Sequence, residues 1–170
     1  MLVSNHESYL DGLVLVAALE QPHTFVAKRE LEGQFVAGRF LKSLGAAFVE
    51  RFDRRRSVAD AEQMTSRVQG GAPLLVFPEG TFVAAPGTLP FRLGAFLAAA
   101  HAGVPVIPVS LGGTRQLLGD GRWWPRPADL TVHVGAALTE PASSDPFAAA
   151  VRLRDRARRV IIRGLSDSDA

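Results

Sequence analysis

Residues 73–81 read Pro73-Leu74-Leu75-Val76-Phe77-Pro78-Glu79-Gly80-Thr81. A nearly continuous apolar run ends in a proline, an acid, a glycine and a hydroxyl. An apolar run without alternation fits a central parallel strand covered on both faces. Pro78 to Thr81 then turns the chain out of that strand, and a glycine there lets backbone approach a ligand closely. Taken alone, this block is more plainly read as a strand-to-helix turn.

Going back from this strand, Ser57 and Asp60 make a weak capping pair for a helix to about Val68, ended by Gly70-Gly71. Gly45 to Arg51 reads as a strand with Arg51 at its carboxyl end. His23 to Lys28 is a third strand by its apolar and β-branched content. The chain from there to Leu44 is helical but broken by Gly33 and Gly38. Leu10 to Leu19 reads as a buried helix stopped before Pro22, and Leu2 to Asn5 as the tail of a strand.

Going forward, Ala84 to Pro90 is a Gly/Pro loop, and Phe91 to Ala102 an Ala-rich helix ended by Gly103. Val104 to Leu111 is a strand carrying Pro105 and Pro108, which predict an edge or a bulge because proline donates no ladder bond. Gly112 to Ala128 reads as a loop with Trp123-Trp124, Leu130 to Val134 as an alternating strand, and Ser144 to about Gly164 as a helix. Alternating strands and helices predict the α/β class: a single layered domain over residues 1–170, with a mostly parallel central sheet flanked by helices.

Ligand sites in such sheets gather at the carboxyl ends of the strands. His6, Arg51 and Glu79 each follow a predicted strand, so three segments converge on one rim. His6 opens Asn5-His6-Glu7-Ser8-Tyr9-Leu10-Asp11. A histidine is a general base near neutral pH, and a carboxylate fixes its tautomer and steadies the imidazolium. Residues five apart on a regular helix stand about 140° apart. His6 therefore belongs to a strand end or loop and Asp11 to the first turn of a helix, where its charge suits the dipole. On residue types alone, a turn histidine followed by a capping aspartate is the plainer reading. Likewise, Arg51 beside Arg54-Arg55-Arg56 is as well a surface charge as an anion ligand.

Composition narrows the options. The 170 residues suit one core, and 47 % apolar content excludes a disordered chain. No cysteine is present, which excludes disulfides, thiolate metal sites and a Cys nucleophile. Net charge is +2, with local basic clusters at residues 51–56 and in the C-terminal Arg series, either of which suits an anionic substrate or membrane surface. No aromatic-plus-basic module for nucleic acid is visible, so no nucleic-acid partner is expected. No apolar run approaches the ~20 residues that span a bilayer, and no signal peptide is visible. His23, His101 and His133 show no metal-ligand spacing with carboxylates, and no metal is expected.

The ordered blocks resemble the lysophospholipid acyltransferase family, of the 1-acylglycerol-3-phosphate acyltransferase kind. The His-x-x-x-x-Asp block stands at His6 to Asp11 behind Asn5, the block ending in Arg at Gly45 to Arg51, Phe-Pro-Glu-Gly-Thr at Phe77 to Thr81, and Val-Pro-x-x-Pro-Val at Val104 to Val109. A smaller Lys-x-Glu-Leu signature stands at Lys28 to Leu31. Any one block is weak; the ordered set is specific.

The resemblance implies acyl transfer from acyl-CoA or acyl carrier protein to a lysophospholipid hydroxyl, in phospholipid biosynthesis. It implies His6 as general base, Asp11 as its support, and no covalent intermediate. A chain without Cys or a Gly-x-Ser-x-Gly elbow agrees, having no evident nucleophile. Arg51 would hold the acceptor's phosphate, as a guanidinium suits. Asn5, Glu79, Gly80 and Thr81 would serve the acceptor site, and Pro108 with its strand the acyl side. No resident cofactor is implied; the acyl donor is a co-substrate. The implied location is peripheral, at the cytoplasmic face of the membrane. A thioesterase using the same His-Asp pair on water and a non-catalytic lipid- or partner-binding domain are the other readings.

Two departures from the family stand out. Phe82 occupies the place where many members carry Arg after Thr, and Arg92 or Arg115 is expected to compensate. Members also usually carry membrane-associating helices before the first block, so a preceding segment is expected to be missing. Trp123-Trp124 beside Arg122 and Arg126 is either a lipid-interface element or a packed loop. Arg152, Arg156, Arg159 and Arg163 fall at i, i+4, i+7 and i+11, a basic stripe that is either solvated or turned to anionic lipid.

Overall fold

The central strand of the sequence is central in space. The computed structural model describes residues 1–19, 23–28, 47–49, 62, 64–83, 85–119, 121, 124–141 and 145–168. In chain order the strands are β1 (Leu2–Ser4), β2 (Thr24–Lys28), β3 (Ala47–Val49), β4 (Leu74–Val76), β5 (Ile107–Gly112) and β6 (Thr131–Val134). The helices are α1 (Asp11–Ala18), α2 (Gly94–Ala102), α3 (Thr114–Leu118) and α4 (Pro146–Ser168), and residues 64–69 are also helical. The sheet order is β3-β2-β4-β1-β5-β6. The first five strands pair in parallel, and β6 runs antiparallel to β5. This is the α/β layered architecture expected from the alternation.

Both faces of the sheet are covered, which explains the unbroken apolar run at Leu74, Leu75 and Val76. Leu74 and Val76 pack with Ala95 and Ala98 of α2 and with Met64 and Val68. Leu75, one residue out of phase, faces the opposite side with Leu2, Phe25 and Leu15 of α1. Val3 joins Phe96 of α2 and Leu153, Ala157 and Ile161 of α4. Alternation of side chains across the sheet thus feeds two separate helical layers.

Several expectations need correcting. Pro105 and Pro108 do not make their strand an edge, because β5 lies between β1 and β6. Pro105 precedes the strand, and Pro108 stands level with Val3. The carbonyl of Pro108 accepts the amide of Gly135 at 2.8 Å, just beyond the β6 ladder, which begins at Val109↔Val134. The missing proline donor therefore falls where no ladder bond is required. The stretch 112–128 is not all loop but contains α3, whose five residues are too few to show periodicity. Helix α4 runs on to Ser168, and the Asp145 carboxylate caps its start by accepting the amide of Ala148 at 3.0 Å.

The basic stripe is divided. Arg152 and Arg156 of α4 both reach Glu140, at 2.7 and 2.9 Å, while Arg159 and Arg163 are exposed further along the helix. Arg51, the cluster at residues 54–56, the helix broken by Gly33 and Gly38, the Ser57/Asp60 cap, Arg122 and Trp123 lie outside the described residues. Trp124 is exposed. Among the described residues no helix is long and apolar enough to cross a membrane.

Candidate active site

Strand β1 ends in the middle of the sheet, and its carboxyl end delivers the candidate base. Asn5 is fully buried there, and its side-chain amide pairs with both backbone groups of Leu111. Its Nδ2 donates to the carbonyl of Leu111 at 2.9 Å, and its Oδ1 accepts the amide of Leu111 at 2.8 Å. Asn5 thus ties the end of β1 to β5 and fixes where the next residue emerges. That next residue is His6.

His6 Nδ1 stands 2.7 Å from Asp11 Oδ2. A carboxylate only accepts, so Nδ1 carries the proton and Nε2 is left as the basic nitrogen. The same Asp11 oxygen also accepts the amides of Glu7 at 2.6 Å and Ser8 at 2.9 Å. Three donors on one buried oxygen fold residues 6–11 into a tight turn, as the spacing argument requires. Asp11 is fully buried and opens α1, where the helix N-terminus favours its charge.

Glu79 holds the other side of His6. Its Oε1 accepts the His6 amide at 2.9 Å, and its Oε2 accepts the Leu89 amide at 2.5 Å. Glu79 is 3 % exposed. Burial pushes its carboxyl above the ordinary range, against the hydrogen bonds from Leu89 and His6. Gly80 turns with φ +78°, a left-handed conformation that glycine adopts without strain, and its amide donates to the Phe77 carbonyl at 3.1 Å. Thr81 is exposed beside it.

The imidazole lies between two aromatic rings. Phe77 stacks on it at 4.4 Å and 20°, and Phe82 meets it edge-to-face at 4.6 Å and 66°. Tyr9 in turn meets Phe82 at 4.7 Å and 81°. These contacts fix the ring's plane, as the Asp11 contact fixes its rotation.

Helix α3 braces the turn from outside. The Ser8 hydroxyl donates to the Leu118 carbonyl at 2.6 Å and accepts the Leu10 amide at 3.0 Å. Arg115 lies 3.5 Å from Glu7, and its guanidinium donates to the carbonyls of Val83 (2.9 Å) and Ala85. Burial pushes the Glu7 carboxyl up, against the opposing charge of Arg115.

The structure therefore brings His6, Asp11, Glu79, Gly80 and Thr81 to one rim. Asn5 sits beneath that rim in the sheet, and Pro108 sits in the body of β5 beside Val3. Arg92 is exposed at its side chain and anchors by its amide to the Pro78 carbonyl at 2.9 Å. Sequence reasoning missed Ser8, Glu7 and the stacking of Phe77. Ser8 and Glu7 lie inside the quoted turn, but their partners are more than a hundred residues away.

A carboxylate-supported histidine stands at the carboxyl end of a central parallel strand, an arrangement able to take a proton at Nε2. The Acyltransferase family model matches residues 1–112. The chain is 34 % identical over 151 residues to a 1-acyl-sn-glycerol-3-phosphate acyltransferase of Chlamydomonas reinhardtii, covering 88 % of this chain and 45 % of that protein. It is 33 % identical over 157 residues to a lyso-ornithine lipid O-acyltransferase of Brucella abortus, covering 84 % of this chain and 58 % of that one. The crystal structure of the 1-acyl-sn-glycerophosphate (LPA) acyltransferase PlsC from Thermotoga maritima superposes with a TM-score of 0.80 at 26 % identity, covering 99 % of this chain and 66 % of that chain. The chain belongs to the acyltransferase family. It spans about half the length of the two relatives named here.

Proposed function

We propose that this domain transfers a fatty acyl group from a thioester, acyl-CoA or acyl carrier protein, to the free hydroxyl of a lysophospholipid such as lysophosphatidic acid. The observation that carries this reading is the 2.7 Å contact between His6 Nδ1 and Asp11, which leaves Nε2 basic. The acceptor hydroxyl donates its proton to His6 Nε2 as its oxygen attacks the thioester carbonyl. The tetrahedral intermediate collapses, the C–S bond breaks, and the proton held by His6 returns to the departing sulfur. The buried Asp11 charge stabilises the imidazolium between the two proton transfers. No acyl-enzyme is formed.

Glu79 positions His6 through its backbone, and Gly80 and Thr81 form the acceptor's side of the rim. Arg51 is assigned to the acceptor's phosphate on its place in the sequence. Asn5 is assigned a supporting role at the substrate site through its hold on β5, and Pro108 is assigned to the acyl side on its place in the sequence. The names of the relatives support the acceptor class, since both are acyltransferases and their names point to lysolipid acceptors. The reading places the domain peripherally at the cytoplasmic face of the membrane, within phospholipid biosynthesis, with no resident cofactor.

The test is thiol release from long-chain acyl-CoA, with and without lysophosphatidic acid, in wild type and His6→Ala. Acceptor-dependent release that falls by orders of magnitude in the variant is expected. Release that ignores the acceptor identifies a thioesterase instead. Lipid binding with no release in either protein identifies a binding domain.

A further inference from the structure

The ring beside the base is an aromatic hydrocarbon where the family resemblance leads one to expect a guanidinium. Phe82 is half-buried and lies 4.6 Å from the His6 imidazole, ring centre to ring centre. A hydroxyl hydrogen-bonded to His6 sits about 2.8 Å from the nitrogen. Phe82 thus stands within reach of the atoms one to three bonds from that hydroxyl.

Phe82 does not stand alone. Tyr9 braces it at 4.7 Å and is 63 % exposed, so the pair opens outward rather than into the core. Leu13 and Val16, both exposed, continue the apolar surface along one face of α1, and Val83 extends it on the other side of Phe82. Arg115 on α3 already serves Glu7 and the carbonyls of Val83 and Ala85. A phosphate laid on Phe82 and Tyr9 loses hydration without gaining a charged partner from them. A hydrocarbon chain laid there is removed from water at no such cost.

We infer that Phe82, braced by Tyr9, sets acceptor choice in this enzyme, favouring lysolipids whose reacting hydroxyl is flanked by hydrocarbon rather than by a phosphate. The inference rests on the acyl-transfer reading and goes beyond it by naming the specificity-determining residue. Phe82 puts apolar contact beside the base, and the acceptor's chain runs from His6 over Phe82 and Tyr9 towards Leu13.

The matched probes are 1-oleoyl-lysophosphatidic acid and 1-oleoyl-glycerol, which differ only by the phosphate. Thiol release from oleoyl-CoA is measured with each, for wild type, Phe82→Arg and Phe82→Leu. Wild type is expected to use 1-oleoyl-glycerol with a kcat/KM at least equal to that for lysophosphatidic acid. Phe82→Arg is expected to raise the ratio for lysophosphatidic acid over 1-oleoyl-glycerol by about tenfold or more, chiefly through the KM for lysophosphatidic acid. Phe82→Leu, which keeps the surface apolar, is expected to hold the wild-type ratio. A ratio that rises less than about tenfold in Phe82→Arg overturns the inference, as does any wild-type preference for lysophosphatidic acid over 1-oleoyl-glycerol. Should Phe82→Arg fail to fold, the wild-type ratio together with Phe82→Lys, which also supplies a cation, decides on the same terms. If wild type releases thiol with neither lipid, the acyl-transfer reading itself fails and this inference falls with it. If it releases thiol with either and the ratio does not move, only the inference on Phe82 fails.

Discussion

Glu79 holds His6 by its main chain, not by its ring. Oε1 accepts the His6 amide at 2.9 Å while Oε2 accepts the Leu89 amide. The ring is steered separately, by Asp11 on Nδ1 and by Phe77 on its face. Two independent devices thus set the base: one fixes where its backbone emerges from β1, the other fixes how its imidazole is turned. The carboxylate of Glu79 also ties the segment before α2 to the site, through Leu89.

Glu79→Gln tests the first device. A glutamine keeps one acceptor oxygen but turns an amide NH₂ towards the second backbone N–H, leaving a buried donor unpaired. The expected cost is about 1–3 kcal/mol in stability. Misplacement of His6 is expected to lower kcat by on the order of 10²-fold. Urea denaturation and steady-state kinetics check both; an unchanged midpoint with unchanged kcat rejects the positioning role.

Asp11→Asn tests the second. The substitution keeps an oxygen for the amides of Glu7 and Ser8 but removes the charge that steadies the imidazolium. The expected loss in kcat is on the order of 10²–10⁴-fold, the usual worth of general-base catalysis. Acceptor KM is expected to move little, because neither proposed substrate touches Asp11. A variant within about threefold of wild-type kcat rejects base catalysis supported by this residue.

Glu7 and Glu79 give the protein a pH dependence with a definite sign. Burial raises both carboxyls above their ordinary value of 4.5. A folded-state pKa above the unfolded one means that the folded state binds the proton more tightly. The stability this contributes is complete below the unfolded value and is lost as pH rises through the raised one. Glu7→Gln removes one of these titrations without breaking the turn, since its partner Arg115 lies 3.5 Å away at the rim. Melting temperature from pH 4.5 upward is therefore expected to fall more in wild type than in Glu7→Gln. Parallel curves reject the assignment to Glu7.

Much of this architecture was legible in the sequence, and what escaped has a common cause. The apolar run at residues 74–76 announced a strand covered on both faces, and five-residue spacing excluded a helix between His6 and Asp11. Both are local properties of the chain. The partners of Arg115, Val83 and Ala85, lie 32 and 30 residues away, and the partner of Asn5 lies 106 away. No local period encodes such pairings. The prolines of the β5 region misled because the rule concerns ladder donors, and Pro108 sits where the neighbouring ladder has already ended.

Gly164 is another residue whose role only the packing shows. A Cβ there would stand 2.3 Å from the Ser110 hydroxyl oxygen and 2.9 Å from its Cβ. The Ser110 hydroxyl itself donates to the Ile161 carbonyl at 3.1 Å, so α4 lies flush on β5 at this point. Gly164→Ala gains helix propensity of about 1 kcal/mol. Overpacking against the sheet costs about 1–3 kcal/mol and is expected to win. A net loss of stability in thermal or chemical denaturation is the expected outcome; a net gain shows that α4 can lift from β5 freely.

Arg115 offers the sharpest contrast between positioning and binding. One guanidinium serves Glu7 of the His6–Asp11 turn and the carbonyls of Val83 and Ala85, which follow Phe82. Removing it frees the segment that carries Phe82 from the turn that carries His6. Arg115→Ala is expected to lower kcat by about tenfold with little change in acceptor KM, the pattern of lost positioning rather than lost ground-state binding. Arg115→Lys is expected to recover little, because an ammonium is a point charge and lacks the fork that reaches a carboxylate and two carbonyls together. If instead KM for lysophosphatidic acid rises alone and Lys restores it, Arg115 is a phosphate ligand that releases Val83 and Ala85 when the acceptor arrives.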